Sequence, residues 1–92
     1  MIRNFKHRGL KRLYEDGDAR GIRPDLVDTV SEILTVLDAA KSPWALHLSG
    51  YRLHPLKGDL KGSWSVTVRA NWRIMFGFDG TDAFDVELID YH

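Results

Sequence analysis

The spacing of apolar residues in the first half of the chain predicts two helices. Leu10, Leu13 and Tyr14 recur at helical spacing, and Gly17 is a suitable stop, which predicts a short first helix. Pro24 suits the first position of a second helix. The apolar stripe of this second helix predicts that it runs from about residue 24 to 40, and its members are Leu26, Val30, Ile33, Leu34 and Leu37.

The second half of the chain alternates between apolar and polar residues, as strands do. This alternation predicts strands over residues 64–69, 72–78 and 84–88, and Asp79-Gly80 is a strong turn signal between the last two. A short additional strand is predicted at Ile2–Phe5. Two helices followed by a strand meander predict an α+β fold, with the helices on one face of the sheet and the other face open to a ligand.

The connection after residue 69 conflicts with a simple hairpin. A tight turn at Ala70-Asn71 would place Val68 opposite Arg73, and Thr67 opposite Ile74. Apolar residues of one strand would then pair with polar residues of the other, because a register shift of one residue moves every side chain to the other face of the sheet. A longer turn, a β-bulge or partial cover of both sheet faces would each remove the conflict, and we expect a longer turn.

Length and composition limit the classes of protein that the chain can belong to. Ninety-two residues, 43% of them hydrophobic, predict a single domain over residues 1–92 with one modest core. The chain has no Cys, its four His lack zinc-site spacing, and no phosphate loop follows Gly58 or Gly62, so we expect neither a metal nor a cofactor. No apolar run approaches the roughly 20 residues of a membrane span. We therefore expect no membrane partner and a cytoplasmic location.

Charge is segregated along the chain, although the formal net charge is zero. The acids lie mainly in residues 15–38 and 79–90, whereas Asp59 is the only acid between residues 52 and 78. Twelve of the 13 basic residues fall in two groups: Arg3, Lys6, Arg8, Lys11, Arg12, Arg20 and Arg23 precede Pro24, and Arg52, Lys57, Lys61, Arg69 and Arg73 follow residue 51. A local basic face can bind phosphate even on a neutral protein, although a solvated surface of chance asymmetry is the alternative.

Reactive side chains are dense in residues 53–59 and in the last three residues of the chain. Cutting RNA without a metal requires a base for the 2′-hydroxyl proton, an acid for the departing 5′-oxygen and cations for the phosphorane between these steps. His suits the proton transfers, Arg and Lys bind phosphate, and Tyr can stack on a nucleobase. The residues that could fill these roles are His54, Lys57, Arg73, Asp90, Tyr91 and His92.

Each of these residues also has a plain structural explanation. A His before Pro is more often a surface or capping residue, a Lys beside Gly58 is most simply solvated, and Arg73 would stack on Trp72 or Trp64. The last three residues would normally be frayed. His7 and His47 are assigned to structure or solvent. On spacing alone, a non-enzymatic module that binds RNA or inhibits a protein target therefore stays open beside a nuclease.

Three segments of the chain closely resemble the HigB branch, or plasmid-maintenance killer family, of the RelE/ParE toxin superfamily. They are Tyr-Arg-Leu-His-Pro-Leu-Lys-Gly-Asp (51–59), Gly-Ser-Trp-Ser-Val-Thr-Val-Arg-Ala-Asn-Trp-Arg-Ile (62–74) and the terminal Asp-Tyr-His. The opening Ile-Arg-Asn-Phe-Lys-His-Arg-Gly-Leu-Lys (2–11) is also similar. The resemblance implies a RelE-like fold of two N-terminal helices packed on a curved, mostly antiparallel sheet.

The resemblance also implies an activity and a set of site residues. The activity is ribosome-dependent cleavage of mRNA in the decoding site, without a metal. His54, Asp90, Tyr91 and His92 would form the catalytic cluster. The two His would transfer protons in an order left open, Asp90 would orient a neighbour, and Tyr91 would position the nucleotide. The residues implied to hold the phosphate or RNA are Lys57, Arg73 and Arg69.

The implied partners are an antitoxin and the ribosome. The resemblance implies a HigA-like, helix-turn-helix antitoxin that forms a hetero-oligomer with the toxin and inhibits it. Ribosomal RNA would be bound by the N-terminal basic residues Arg3, Lys6, Arg8, Lys11 and Arg12. A gyrase-poisoning branch of the superfamily shares the fold, but His54 and the terminal Asp-Tyr-His speak against it here.

Overall fold

A computed structural model describes residues 1–48, 50–60 and 62–90 of the chain. The helices are α1 (Arg8–Asp16), α2 (Val27–Ala39) and α3 (Trp44–Leu48), with 3-10 turns at Pro24–Leu26 and Gly58–Leu60. The strands are β1 (His54–Pro55), β2 (Ser63–Arg69), β3 (Trp72–Asp79) and β4 (Asp82–Asp90). They form one antiparallel sheet in the order β1-β2-β3-β4, with helices packed against it, and the predicted α+β fold is confirmed.

Both ends of α1 are capped by residues that the local sequence supplies. At the start, the Nδ1 atom of His7 accepts a hydrogen bond of 3.2 Å from the backbone N–H of Leu10, which satisfies one free donor of the first turn. At the end, Gly17 adopts the left-handed conformation, with φ at 68°, and its N–H donates to the carbonyl oxygen of Leu13. The predicted stop at Gly17 is confirmed, and His7 has the structural role assigned to it.

The second helix follows its predicted apolar stripe. A 3-10 turn that begins at Pro24 leads into α2, and the stripe from Leu26 to Leu37 is buried under the sheet. The short helix α3 was not predicted. It begins after Ser42-Pro43, where the carbonyl oxygens of these two residues accept the first helical hydrogen bonds, and it places Leu46 in the core. Ser42-Pro43 thus separates two helices instead of leading directly to the strands.

The first six residues lie parallel to β4 without forming a continuous strand. Ile2 pairs with Ala83 and Phe5 pairs with Val86 as isolated bridges. Between them the side chain of Asn4 makes two hydrogen bonds to Asp85, accepting from its backbone N–H at 3.0 Å and donating to its carboxylate at 2.7 Å. The predicted strand is therefore extended as expected but interrupted at Asn4.

The β2–β3 hairpin resolves the conflict seen in the sequence by a bulge, so the expected longer turn is wrong. Arg69 pairs with Trp72 across the two-residue connection, and the register shifts between Thr67 and Arg69. The extra residue of the bulge, Val68, restores the pairing of Val66 with Ile74 on the buried face. A bulge keeps the tight turn and the segregation of apolar from polar side chains.

A second irregularity lies between β3 and β4, opposite residues 75–77 of β3. The irregularity is a β-bulge at Asp85, whose φ is 51°. The extra residue places Phe84 on the face opposite to the one that unbroken alternation would give. Phe84 pairs with Gly77 and packs over it, whereas Val86 and Leu88 belong to the buried core. The unbroken alternation predicted for residues 84–88 is therefore wrong at Phe84.

The core lies between the helices and one face of the sheet. On the sheet side it contains Val66, Ile74, Phe76, Val86 and Leu88. The opposite face, called the open face below, carries the alternate residues of each strand, because successive side chains point to opposite sides. Within the described ranges, none of the helices is long and apolar enough to cross a membrane.

Candidate functional site

One row of directly paired residues crosses the open face from β1 to β4. His54 pairs with Ser65, Ser65 pairs with Met75, and Met75 pairs with Glu87. Side chains of directly paired residues share a face of the sheet, so these four residues lie side by side. His54 is exposed at the β1 edge, whereas Ser65 is buried at 7% exposure in the floor of the row. An imidazole on an open sheet is placed to meet a ligand from solvent.

Arg73 lies in the next row of the open face, and its guanidinium is directed toward β2. Arg73 pairs with Thr67, and its Nη1 atom donates a hydrogen bond of 2.9 Å to the Thr67 hydroxyl. A longer contact of 3.4 Å joins the same atom to the carbonyl oxygen of Ala70. The arginine that stacks on Trp72 is Arg23, at 5.7 Å from the ring centre.

His54 and Arg73 lie on the same face of the sheet, two strands apart. His54 is directly paired with Ser65, and Thr67, which holds the guanidinium, lies two residues further along the same strand. One strand spacing across and two residues along give roughly 8 Å between the backbones of His54 and Thr67. A phosphate group placed between His54 and the guanidinium that Thr67 holds would lie between an imidazole and a cation.

The other two predicted phosphate-binding residues, Lys57 and Arg69, are exposed. Lys57 follows β1, just after the 2.9 Å hydrogen bond from the backbone N–H of Leu56 to the carbonyl oxygen of Ser63. Arg69 ends β2 beside the hairpin connection. Lys57 is therefore attached to the strand that carries His54, whereas Arg69 shares the side of its partner Trp72, opposite to Arg73.

The predicted catalytic residues at the end of the chain are described only in part. Asp90 is exposed at the end of β4 and pairs with Trp72, which packs against the core. By strand alternation Asp90 shares the side of Leu88 and lies on the opposite side from Arg73. The structure therefore does not bring Asp90 together with His54 on the open face. Tyr91 and His92 lie outside the described residues.

The N-terminal basic residues differ in how far their charge is neutralised. Arg3 forms ion pairs of 3.0 Å with Asp79 and 3.7 Å with Asp82, and lies over the Phe84 ring. The other four are exposed and form no ion pair within the described ranges; they are Lys6, Arg8, Lys11 and Arg12. Arg3 therefore contributes to the structure of the N-terminal segment, and the other four carry the net positive charge.

Two contributions to the open face were missed by sequence reasoning. Thr67 holds Arg73, and Glu87 lies in the row of His54, but neither relation has a local signal. Both depend on the registers that the bulges at Val68 and Asp85 set. Among the residues that the structure describes, no three His, Asp or Glu side chains are grouped closely enough to hold a metal ion.

The chain is similar to known toxins along its whole length. The family of RelE-like toxins of the type II toxin–antitoxin system HigB matches residues 3–92. Endoribonuclease HigB of Proteus vulgaris is 48% identical over 92 residues, which is 100% of both chains. Toxin HigB-1 of Vibrio cholerae is 32% identical over 78 residues, which cover 83% of this chain and 82% of that toxin.

The fold is similar to that of a solved toxin of much lower sequence identity. YafQ from Escherichia coli strain BL21(DE3) superposes with a TM-score of 0.57 at 15% identity, over 95% of this chain and 87% of YafQ. At this identity the likeness concerns the fold alone. It agrees with the arrangement of helices on a four-stranded antiparallel sheet.

Proposed function

Since the chain belongs to the family of RelE-like toxins of the type II toxin–antitoxin system HigB, we propose that it cuts messenger RNA in the decoding site of the ribosome without a metal ion. The chain is an endoribonuclease toxin, as the name of its P. vulgaris relative indicates, and its system includes an antitoxin. The observation that carries the proposal is that exposed His54 and Arg73 lie on the same open face, on either side of β2. This arrangement favours an enzyme over a binding module, which needs no proton-transfer group next to a phosphate-binding cation.

The proposed reaction needs only the nucleotide's own 2′-hydroxyl as nucleophile. A base removes its proton, the 2′-oxygen attacks the adjacent phosphorus, and the bond from phosphorus to the 5′-oxygen breaks. An acid protonates that 5′-oxygen, leaving a 2′,3′-cyclic phosphate and a 5′-hydroxyl. Proton balance requires one base and one acid, and we assign these roles to His54 and His92 without fixing which is which.

The cations of the open face would bind the reacting phosphate. Arg73 can donate to two phosphate oxygens at once, and its hydrogen bond to Thr67 fixes the guanidinium before substrate arrives. Lys57 would add charge at the border of the open face, and Arg69 would add charge at the end of β2, from the side opposite to Arg73. Asp90 would orient or tune a neighbouring group, and Tyr91 would position the target nucleotide by stacking.

The proposed partners follow from this reaction and from the family. The exposed basic residues of the N-terminal segment and α1 would bind ribosomal RNA; they are Lys6, Arg8, Lys11 and Arg12, with Arg3 as a weaker contributor because of its ion pairs. A HigA-like antitoxin with a helix-turn-helix motif would inhibit the toxin in a hetero-oligomer. Cleavage on the ribosome would place the chain in the cytoplasm.

Primer extension on mRNA tests this proposal. Purified toxin, either untreated or stripped with EDTA that is then removed, is added to ribosomes programmed with a defined mRNA and to the same mRNA alone. We expect new 5′ ends only when ribosomes are present, the same with EDTA-stripped toxin, and lost in His54→Gln and His92→Gln variants. Intact mRNA in the presence of both toxin and ribosomes would overturn the proposal in favour of a non-enzymatic toxin. Cleavage of free mRNA would overturn its ribosome dependence.

A further inference from the structure

A carboxylate lies on the open face, in the row that also contains His54. Glu87 is partly exposed on β4 and pairs directly with Met75. A negative charge is unfavourable near the phosphates of RNA because like charges repel. A nucleobase carries no net charge, and its edge offers hydrogen-bond donors. The carboxylate of Glu87 is therefore better suited to contact a base than the sugar-phosphate backbone.

The basic residues near Glu87 form no ion pair with it in the part of the chain that the structure describes. Arg73 lies on the diagonal from Glu87 across β3 and β4, a position within reach of a long side chain, but its guanidinium donates to Thr67 on the other side. Lys6 is also near, because its backbone N–H donates to the carbonyl oxygen of Val86. Within residues 1–48, 50–60 and 62–90, Glu87 forms no ion pair. Its oxygens can therefore accept hydrogen bonds from a ligand.

The dimensions of the row suit one nucleotide lying across the sheet. From His54 to Glu87 the row spans three strand spacings, or about 14 Å. Met75 lies between them on the open face, and its flexible apolar side chain offers a surface for the flat face of a base. With the phosphate between His54 and Arg73, the base would extend over Met75. Its hydrogen-bonding edge would then reach Glu87.

We propose that Glu87 is a specificity-determining residue that binds the base of the nucleotide whose 2′-oxygen attacks, and that it selects bases with an amino group over uracil. A carboxylate only accepts hydrogen bonds. Adenine, cytosine and guanine each present an exocyclic amino group, and Glu is a known acceptor for the cytosine amino group. Uracil has no amino group, and its one edge donor, N3–H, lies between two carbonyl oxygens that repel a carboxylate. This inference rests on the proposed function, because it assumes that RNA is cut on the open face.

Four ribosome-bound mRNAs that differ only in that one nucleotide test the inference. Single-turnover cleavage rates are measured for wild type and for Glu87→Gln, whose amide can also donate to a uracil oxygen. We expect wild type to cut the uridine substrate at least about 10-fold more slowly than the best of the other three. In Glu87→Gln the best of the other three substrates should be cut only about threefold faster than the uridine substrate, or less. Glu32→Gln is the matched control, because it makes the same change on α2, away from the open face, and should leave all four rates unchanged.

The variants separate base selection from simple charge repulsion. Glu87→Asp keeps the charge but shortens the side chain, so discrimination against uridine should weaken although the charge is retained. The inference would be overturned if wild type cut the four mRNAs at equal rates. It would also be overturned if Glu87→Gln changed all four rates by the same factor. Thermal melts of each variant exclude loss of fold as the cause. If wild type cuts none of the mRNAs, the proposed function itself fails, whereas an active enzyme with an unchanged uridine ratio rejects only the role of Glu87.

Discussion

At the residue scale, the hydrogen bond from Arg73 to Thr67 links backbone register to the proposed chemistry. It directs the guanidinium across the open face toward the strand paired with His54. Because arginine is planar and has several donors, it can keep this bond and still contact a phosphate. Lysine, with a single ammonium group, cannot do both in the same geometry. Charge alone is therefore not sufficient at position 73.

We predict that Arg73→Lys lowers kcat/KM for ribosome-dependent mRNA cleavage by about 100-fold, although the positive charge is kept. The size is that expected when one prearranged donor to a developing anion is lost. Arg20→Lys is the matched control, because Arg20 is exposed and pairs with Asp18 outside the open face. Its rate should equal that of wild type. An Arg73→Lys rate within twofold of wild type would contradict the role of the guanidinium.

A second residue-scale prediction concerns the pair Tyr14 and Asp38 on the helix side. The Tyr14 hydroxyl donates a hydrogen bond of 2.6 Å to Asp38, which also accepts from the backbone N–H of Ile2. The bond raises the pKa of Tyr14 to about 12, and together with the bond from Ile2 it lowers the pKa of Asp38, although burial opposes that shift. The ionised form of Asp38 is thus favoured in the folded state. Its contribution to stability is present above the unfolded pKa of about 4 and is lost as pH falls through the lower native pKa.

Tyr14→Phe should therefore lower the free energy of unfolding by about 1 kcal/mol at pH 7, a small value because the pair is partly exposed to solvent. The difference from wild type should narrow as pH falls below about 4. It should also narrow as pH rises from about 10 through 12, where wild-type Tyr14 ionises. Urea unfolding of wild type and Tyr14→Phe across this pH range measures the difference in free energy of unfolding. Tyr51→Phe is the control, because the pKa of Tyr51 is raised by burial and by the charge of Glu32. The difference in free energy of unfolding between wild type and Tyr51→Phe should not narrow in acid.

At the element scale, α1 is held against the following loop by two glycines. A Cβ added to Gly9 would lie 2.5 Å from the carbonyl oxygen of Gly21, a backbone atom that cannot turn aside. Gly→Ala within a helix normally stabilises it by up to about 1 kcal/mol. We predict the opposite for Gly9→Ala, a loss of about 1–3 kcal/mol, because the loop must move away from the helix. Equilibrium urea unfolding gives the value.

Gly17→Ala distinguishes this close contact from ordinary glycine effects. Gly17 is left-handed, but nothing lies within 4 Å of an added Cβ, so its replacement should cost only about 1 kcal/mol through backbone strain. Gly9→Ala should lower the free energy of unfolding by more than Gly17→Ala does, although Gly9 belongs to a regular helix. A Gly9→Ala protein as stable as wild type would show that the loop accommodates the methyl group.

At the scale of the whole molecule, charge is distributed between two sides. Exposed cations lie on the N-terminal segment, on α1 and around the open face, whereas α2 carries acids. A neutral chain can therefore bind RNA through part of its surface. Counterion release then predicts that ribosome affinity falls steeply as salt rises.

We predict that replacing Lys11 and Arg12 together by Gln weakens ribosome binding and makes its salt dependence shallower by about two charges. Arg3→Gln is the matched control, because Arg3 is already paired with Asp79 and Asp82. Arg3→Gln should change the salt dependence of ribosome binding by less than the replacement of either Lys11 or Arg12. Binding measured from about 50 to 200 mM salt provides the slopes. Wild-type binding that is indifferent to salt would reject the electrostatic role of these residues.

The local pattern of the sequence was sufficient for α1, α2, the three long strands and the layer of the core, but not for α3 or β1. The stripe from Leu26 to Leu37 predicted α2, Gly17 predicted the end of α1, and Asp79-Gly80 predicted the last hairpin. These features depend on residues within a few positions of one another. The family resemblance depended on short motifs in the same way, and residues 3–92 match that family.

The arrangement of the open face was decided only by the tertiary structure. One inserted residue in a strand sends the side chains beyond it to the other face, and nothing near Asp85 marks the insertion. The side chain that binds this bulge is Asn4, 81 positions away in the sequence. The turned position of Phe84, the separation of Asp90 from Arg73 and the row from His54 to Glu87 all follow from such long-range pairing. Sequence by itself thus determined which reactive side chains exist, and the registers of four strands decided which of them meet.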